Sequence, residues 1–428
     1  MTTETGLAAE IGAAPDGPAA APSPPVALYL HVPFCVSLCP YCDFVVYAGA
    51  FARGPRNRIS AFLAALETEV RLRAAAIAAR FGPPNTVSRP PLSSVYLGGG
   101  TPSLLPADAI AALLGLVAEQ FGIAEGAEVT LEANPGPDER GDMATVRRAG
   151  VTRLSFGAQS FDRGELRRLG RRHGPGDIGD AVAEARAAAI GSVSLDLLYD
   201  VPGGSLPTWA KSLDAALALQ PDHLSLYALT LDDPDAEGLT GPAGDHLPTV
   251  AGARRWREAA RREQDDDLAA AQYIHAVERL SEDGWRGYEI SNWARPGHES
   301  RHNLAYWRRR PYEAAGPGAH AFDGAVRRWN AARLDAYVEA LVPAAGGTPR
   351  LPPGGNESLD AATVEAERAI LGLRTDRGLH LAAASQPPLA DSFEWATAAG
   401  LVEVSAEDRI VLTTRGRLLS NELFARLV

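Results

Sequence analysis

Between Ala27 and Thr230 the chain repeats one pattern, a short apolar run followed by a longer helical stretch. The runs Ala27–His31, Ser94–Gly98, Glu128–Ala133, Arg153–Gly157, Ser192–Leu198 and His223–Thr230 read as strands. Between them Arg58–Phe81, Pro106–Phe121, Met143–Ala149, Asp177–Ala189 and Leu206–Leu219 read as helices. Apolar strands alternating with helices predict a parallel sheet with its helices outside. About six such units predict an α/β fold, a partial (β/α)6 relative of the eightfold barrel.

All three cysteines stand in one run, His31-Val-Pro-Phe-Cys35-Val-Ser-Leu-Cys39-Pro-Tyr-Cys42-Asp-Phe44, with the spacing C-x3-C-x2-C. An odd number in so tight a span argues against a disulfide framework. Structural zinc would need a fourth ligand; His31 could supply it, but the separation fits none of the common finger spacings. Three thiolates can instead hold three irons of a cubane cluster and leave the fourth iron open to an external ligand.

Composition sets the outer bounds. The 428 residues allow two or more domains, and 46% hydrophobic content is ample for a packed core. Acidic residues outnumber basic ones, 53 to 41, which argues against a general nucleic-acid binder. No apolar run reaches the length of a spanning helix. Residues 1–25, rich in Ala, Pro and Gly without a basic start, read as a disordered tail and not a secretory signal. Free thiols without an export signal imply a reducing cytoplasm.

After the repeating region at 26–230 the organisation changes. Residues 231–342 form a C-terminal extension, with an acidic Pro/Gly-rich loop at Asp232–Pro248 and a long charged helical stretch at Ala251–Glu282. Residues 343–358, Pro/Gly-rich through Asn356, read as a linker, and 359–428 as a small helical module, winged-helix-like, with a β-like turn at Leu401–Leu412.

Three further groups of residues carry chemistry. Gly98-Gly99-Gly100-Thr101-Pro102 directly follows a strand, where glycine opens the backbone to a ligand or simply makes a tight turn. Glu132, Gln159 and Asp196 stand at or near strand ends, and Arg171 follows in Leu169-Gly-Arg171-Arg-His173. Singly, each is the kind of residue that closes a hydrogen bond at a barrel mouth. Together on one face they offer carboxylates and an amide for hydroxyls and a guanidinium for a carboxylate. The late run Gly287-Tyr-Glu289-Ile-Ser291-Asn292-Trp293, Arg301-His302-Asn303-Leu-Ala-Tyr306-Trp307 and Gly316-Pro-Gly318-Ala-His320 concentrates histidine and aromatics. Such side chains suit a flat macrocycle, imidazole on iron and rings on ring, and equally suit a buried loop whose polar groups are satisfied.

The cysteine triplet resembles the signature of the radical SAM superfamily. Tyr29-Leu-His31-Val-Pro-Phe-Cys35 and Pro40-Tyr-Cys42 resemble the HemN/HemW group, relatives of oxygen-independent coproporphyrinogen III dehydrogenase, from about Val26 to the C-terminus. The resemblance implies a [4Fe–4S] cluster on Cys35, Cys39 and Cys42, with S-adenosylmethionine chelating the free iron. It implies that Tyr29, Gly99, Gly100, Thr101, Glu132, Gln159, Arg171 and Asp196 contact S-adenosylmethionine, with Ala228 a weaker match. His302-Asn-Leu-Ala-Tyr306-Trp307 is similar to the HNxxYW pattern of HemW-type haem chaperones. That implies haem as cargo, His302, Tyr306 and Trp307 near it, and His31, His173 and His320 as other ligand candidates. Haem would pass to haem-dependent proteins, with respiratory ones at the membrane surface, and so a peripheral membrane contact, among the candidates. The dehydrogenases carry a fourth cysteine two residues after the third, where this chain has Phe44. That departure favours the chaperone over the decarboxylating enzyme or another tetrapyrrole-acting relative.

Overall fold

A computed structural model of the chain describes residues 22–51, 57–231, 234–344 and 346–428. Most of the expected tail, residues 1–21, lies outside the described residues. The six expected strands form: β1 (Ala27–Val32), β2 (Leu92–Gly99), β3 (Ile123–Ala133), β4 (Arg153–Gln159), β5 (Ser192–Tyr199) and β6 (His223–Ala228). They pair in parallel, in chain order. The helices are α1 (Ile59–Phe81), α2 (Ala107–Phe121), α3 (Met143–Arg148), α4 (Arg163–Arg168), α5 (Pro175–Ala187) and α6 (Leu206–Ala218).

The strands alternate rather than being uniformly apolar. Leu28, Leu30, Val95, Leu97, Val129, Leu131, Leu154, Phe156, Val193, Leu195, Leu224 and Leu226 are buried in the main core together with Phe62 and Leu66 of α1, Val117 and Phe121 of α2, and Trp209 of α6. The intervening positions are Tyr29, His31, Tyr96, Thr130, Glu132, Ser155, Ser194, Asp196 and Ser225. A period of two puts these on the opposite face, so one side of the sheet is hydrocarbon and the other polar. A polar interior persists only when its hydrogen bonds close or a ligand fills it.

The later chain completes this sheet instead of forming a separate extension. Strands β7 (Arg286–Gly287), β8 (Asn292–Ala294), β9 (Tyr312–Ala315), β10 (His320–Phe322), β11 (Val326–Asn330) and β12 (Gly354–Ser358) bring it to twelve, in the order β12-β11-β10-β9-β1-β2-β3-β4-β5-β6-β8-β7. β9 runs parallel to β1, with Leu28 opposite Glu313, and β8 runs antiparallel to β6. β1 is therefore an interior strand.

Two expectations are corrected here. The linker read at 343–358 contains β12, paired along β11 from Val326–Ser358 to Asn330–Gly354. Pro/Gly composition hid it, yet Gly355 is required, because a Cβ there would enter the Trp329 ring. The helical stretch Ala251–Glu282 is two helices, α7 (Ala251–Arg261) and α8 (Asp266–Glu282). Asp265 starts the second by accepting from the Asp267 and Leu268 amides, a capping preference stronger than continued helix.

Residues from Ala361 onward have their own core of Leu373, Phe393, Leu401, Ile410, Leu412 and Leu423. Within it Leu379–His380, Val402–Val404 and Arg409–Leu412 form a three-stranded antiparallel sheet, so the module is mixed and not simply helical. It meets the large sheet through Arg309–Glu367 at 2.9 Å and Arg374–Glu289 at 3.4 Å. No helix among the described residues is long and apolar enough to cross a membrane.

Candidate functional site

The cysteine run leaves the C-terminal end of β1 and is pinned from several sides. Arg257 of α7 donates to the carbonyls of Pro40 (3.0 Å) and Cys42 (2.9 Å) and pairs with Asp43 at 2.8 Å. His31 Nε2 donates to the Val45 carbonyl at 2.8 Å, so its Nδ1 accepts from Tyr29 OH at 3.1 Å. Cys35 Sγ meets Thr101 Oγ1 at 3.4 Å, and Arg171 Nη1 donates to Cys39 Sγ at 3.5 Å.

Asn134 closes these contacts into a ring. Its Nδ2 donates to Thr101 Oγ1 at 3.0 Å and its Oδ1 accepts from Arg171 Nη2. The circuit therefore runs Cys35–Thr101–Asn134–Arg171–Cys39. All three thiols are free. Burial pushes the Cys35 thiol up to about 12, and raises Cys42 for the same reason, with neighbouring thiols adding to both. Thiols so placed stay neutral until a cation meets them, and a metal reverses that preference. Among the described residues no group of three or more His, Cys, Asp or Glu is already drawn together in metal-binding geometry.

Beside the thiols, Glu132 accepts from Tyr96 OH at 2.7 Å and from the Gly99 amide at 3.0 Å. Burial raises its carboxyl to about 7, and Asp196 adds to the shift. Asp196 accepts from Ser155 at 3.1 Å, and burial raises it as well. Gln159 adopts a φ of +65° at the end of β4. Gln159, Arg171 and Asn134 close over Gly157, where a Cβ would stand 2.9 Å from Gln159 Nε2 and 3.2 Å from Arg171 Nη2. Arg171 Nε is buried without a hydrogen-bond partner. An orphaned guanidinium nitrogen next to three free thiols fits a carboxylate-bearing ligand on a thiolate-held cluster.

The glycine turn is closely packed. Gly99 has a φ of +106°, and a Cβ on it would enter the His31 ring. A Cβ on Gly100 would stand 2.6 Å from the Phe34 carbonyl oxygen. Both lack side chains because protein packs against them; the Gly99 amide is already held by Glu132.

The late motif divides. α9 (Arg301–Trp307) starts with its first amides on the Glu128 carboxylate, Arg301 and His302 each at 3.1 Å. His302 is 1% exposed; Nδ1 meets Ser94 Oγ at 3.0 Å and Nε2 meets Tyr306 OH at 2.7 Å. Burial pulls its pKa down to about 3. Both ring nitrogens are occupied inside the core, so in this arrangement His302 presents no free nitrogen to a haem. Ser94 lies five residues below Gly99 in β2, roughly 16 Å along the strand, so His302 belongs to the opposite end of the sheet. Trp307 turns elsewhere, its ring under the Arg374 guanidinium at 4.4 Å. His31 and His173 are also buried, each held near 4 chiefly by burial.

A cavity of about 320 Å³ lies between the cysteine loop and the late motif, lined by Tyr29, His31, Phe44, Tyr306, Tyr312 and His246 among others. Phe44, at the position of the dehydrogenases' fourth cysteine, is 63% exposed there. Sequence reasoning missed Tyr96, Asn134, Arg257, Asp245 and His246. Asn134 had a signal, since it stands two residues from Glu132 and shares its strand face; Arg257 is one arginine among many in a charged helix.

The radical SAM superfamily pattern matches residues 29–216. A Mycobacterium tuberculosis protein described as "Heme chaperone HemW" is 40% identical over 412 residues, covering 96% of this chain and 97% of that one. The Bacillus subtilis protein of the same description is 30% identical over 92% of this chain and 97% of its own. Among solved structures, coproporphyrinogen III oxidase (HemN) from Escherichia coli superposes with a TM-score of 0.74 over 95% of this chain and 91% of that one, at 23% identity, a likeness of fold. Identity at this level along nearly both full lengths places the chain in the HemW haem chaperone family of the radical SAM superfamily.

Proposed function

We propose that the protein carries haem to haem-dependent proteins, respiratory ones among them, in a reducing cytoplasm. Superfamily membership implies a [4Fe–4S] cluster and S-adenosylmethionine. In this reading Cys35, Cys39 and Cys42 hold the cluster. Tyr29, Gly99, Gly100, Thr101, Glu132, Gln159, Arg171 and Asp196 form the S-adenosylmethionine side, with Arg171 Nε facing its carboxylate. Bound to a reduced cluster, S-adenosylmethionine supplies radical chemistry. The chain's own residues orient it, and Arg257 fixes the loop on which the thiols ride.

The observation that carries the haem reading is Phe44. Its exposed ring joins Tyr306 and Tyr312 around the cavity beside the cysteine loop, where a fourth thiol would otherwise stand. Aromatic walls suit a flat apolar ring. Titration of anaerobically reconstituted protein with haemin should give a saturable Soret band, and the loaded protein should pass haem to an apo-haemoprotein. Coproporphyrinogen III, given reductant and S-adenosylmethionine, should remain unconverted. Sustained decarboxylation would instead favour the dehydrogenase.

A further inference from the structure

Haem iron needs a nitrogen with an open lone pair beside room for a flat ring. Of the histidines expected from the sequence, two offer none. His302 and His31 have both ring nitrogens engaged, and His173 is buried with Nε2 on the Ala158 carbonyl at 3.0 Å. His320 lines the cavity beside the cysteine loop too, but with Nε2 on Asp245 at 2.7 Å and its ring stacked on Trp329 it keeps only Nδ1, the nitrogen nearer its own backbone.

His246 differs. Its Nδ1 meets Asp245 Oδ1 at 2.9 Å, and among the described residues nothing bonds its Nε2. A carboxylate only accepts, so Nδ1 carries the hydrogen; in the neutral ring Nε2 then holds the lone pair, and the Asp245 carboxylate raises the ring's pKa above its ordinary value. Ligating histidines almost always show this arrangement, the far nitrogen donating to a carboxylate that fixes the tautomer and raises ligand basicity. Asp245 is itself held in place. It is only 12% exposed and accepts from His320 as well as His246. The backbone around it is tied to the sheet by Ala332 N to Gly244 O at 2.9 Å and Trp329 Nε1 to Ala243 O at 3.1 Å. His246 lines the same cavity as Phe44, Tyr306 and Tyr312.

We propose that His246 is the haem-iron ligand, bonding through Nε2 in this cavity, with Asp245 as the positioning residue. The assignment rests on the haem-carrier reading and adds its ligand. The Nε2 lone pair forms the Fe–N bond; any proton on Nε2 passes to solvent as the bond forms, and the iron keeps its oxidation state.

The test is haemin titration of the reconstituted full chain, followed by Soret absorption and electron paramagnetic resonance. H246A should lose the saturable Soret band while keeping its cluster and melting temperature, and added imidazole should restore the band. D245N should bind about tenfold more weakly, the low end for loss of a ligand's supporting carboxylate, with a shifted iron signal. Parent-like binding by H246A would overturn the assignment and leave the haem-carrier reading standing. Loss of binding in folded H246A that imidazole fails to restore would make His246 a wall residue and overturn it too. Absence of saturable binding by the parent would bring down both.

Discussion

The two ends of the polar sheet face carry similar residues in opposite conditions. At the C-terminal ends of the strands stand the thiols, Asn134, Arg171 and Glu132; at the N-terminal ends stand Ser94, Glu128 and His302, with Tyr306 reaching from His302 to the cavity wall. Below, His302 has a partner on each nitrogen, and Glu128 takes the first amides of α9. Above, bonding capacity is left open: Arg171 Nε has no partner, and burial holds the Cys35 and Cys42 thiols neutral. Polarity alone does not mark a site. Unspent bonding capacity does, because burying an unpaired polar group is costly unless something else completes it.

Substitutions at the upper end should remove binding and spare the fold, and those at the lower end should do the reverse. The largest effect expected is loss of the whole cluster from Cys35→Ala, Cys39→Ala or Cys42→Ala, read as iron and sulfide content after anaerobic reconstitution. No other cysteine exists to substitute. A full cluster in any one of them would break the upper half of the comparison.

Gly99→Val sharpens the boundary, since it stands at the upper end but acts through packing. A branched side chain at a φ of +106° would collide with His31. The strain and overpacking should cost about 3–5 kcal/mol of stability. Denaturant unfolding measures this. A parent-like midpoint together with weakened S-adenosylmethionine binding would show instead that this side chain's direction belongs to the ligand.

His302→Ala should lower stability by about 2–4 kcal/mol, through a cavity and two stranded hydroxyls on Ser94 and Tyr306. Cluster content and haemin affinity should match the parent in protein that remains folded. Loss of the Soret band without loss of stability would return His302 to the site.

Glu132 gives the smallest effect, a pH dependence. Its folded pKa of about 7 lies above the ordinary 4.5, with burial the larger cause and Asp196 the smaller. Folding therefore takes up a proton. The stability this group contributes is fully present below about 4.5 and is lost as pH rises through 7, by at most about 3 kcal/mol. Glu132→Gln cannot ionise, so its stability relative to the parent should improve between pH 5 and 8 before S-adenosylmethionine is added. Parallel pH profiles for the two proteins would show the carboxylate already charged.

The six strands were legible because each is bounded by helical sequence and turns, and their ends fell within a few residues of the expected ones. The cysteine run was legible because its spacing is local. The late strands were not: β8 and β9 are three or four residues long, and β12 is a Gly-rich run with no apolar face. Backbone hydrogen bonds to β6, β1 and β11 make them strands, and such pairing leaves little trace in side-chain pattern.

The sequence by itself determined the parallel α/β core, the thiol triplet and the family, since spacing and periodicity survive without coordinates. Only the tertiary structure decided which end of the sheet each polar residue serves. His302 and His246 are both histidines among aromatics; one is closed in by Ser94 and Tyr306 from distant strand and helix, and the other is backed by Asp245 with a nitrogen left over. A ligand's availability depends on what its other atoms touch, and those contacts come from parts of the chain that meet only on folding.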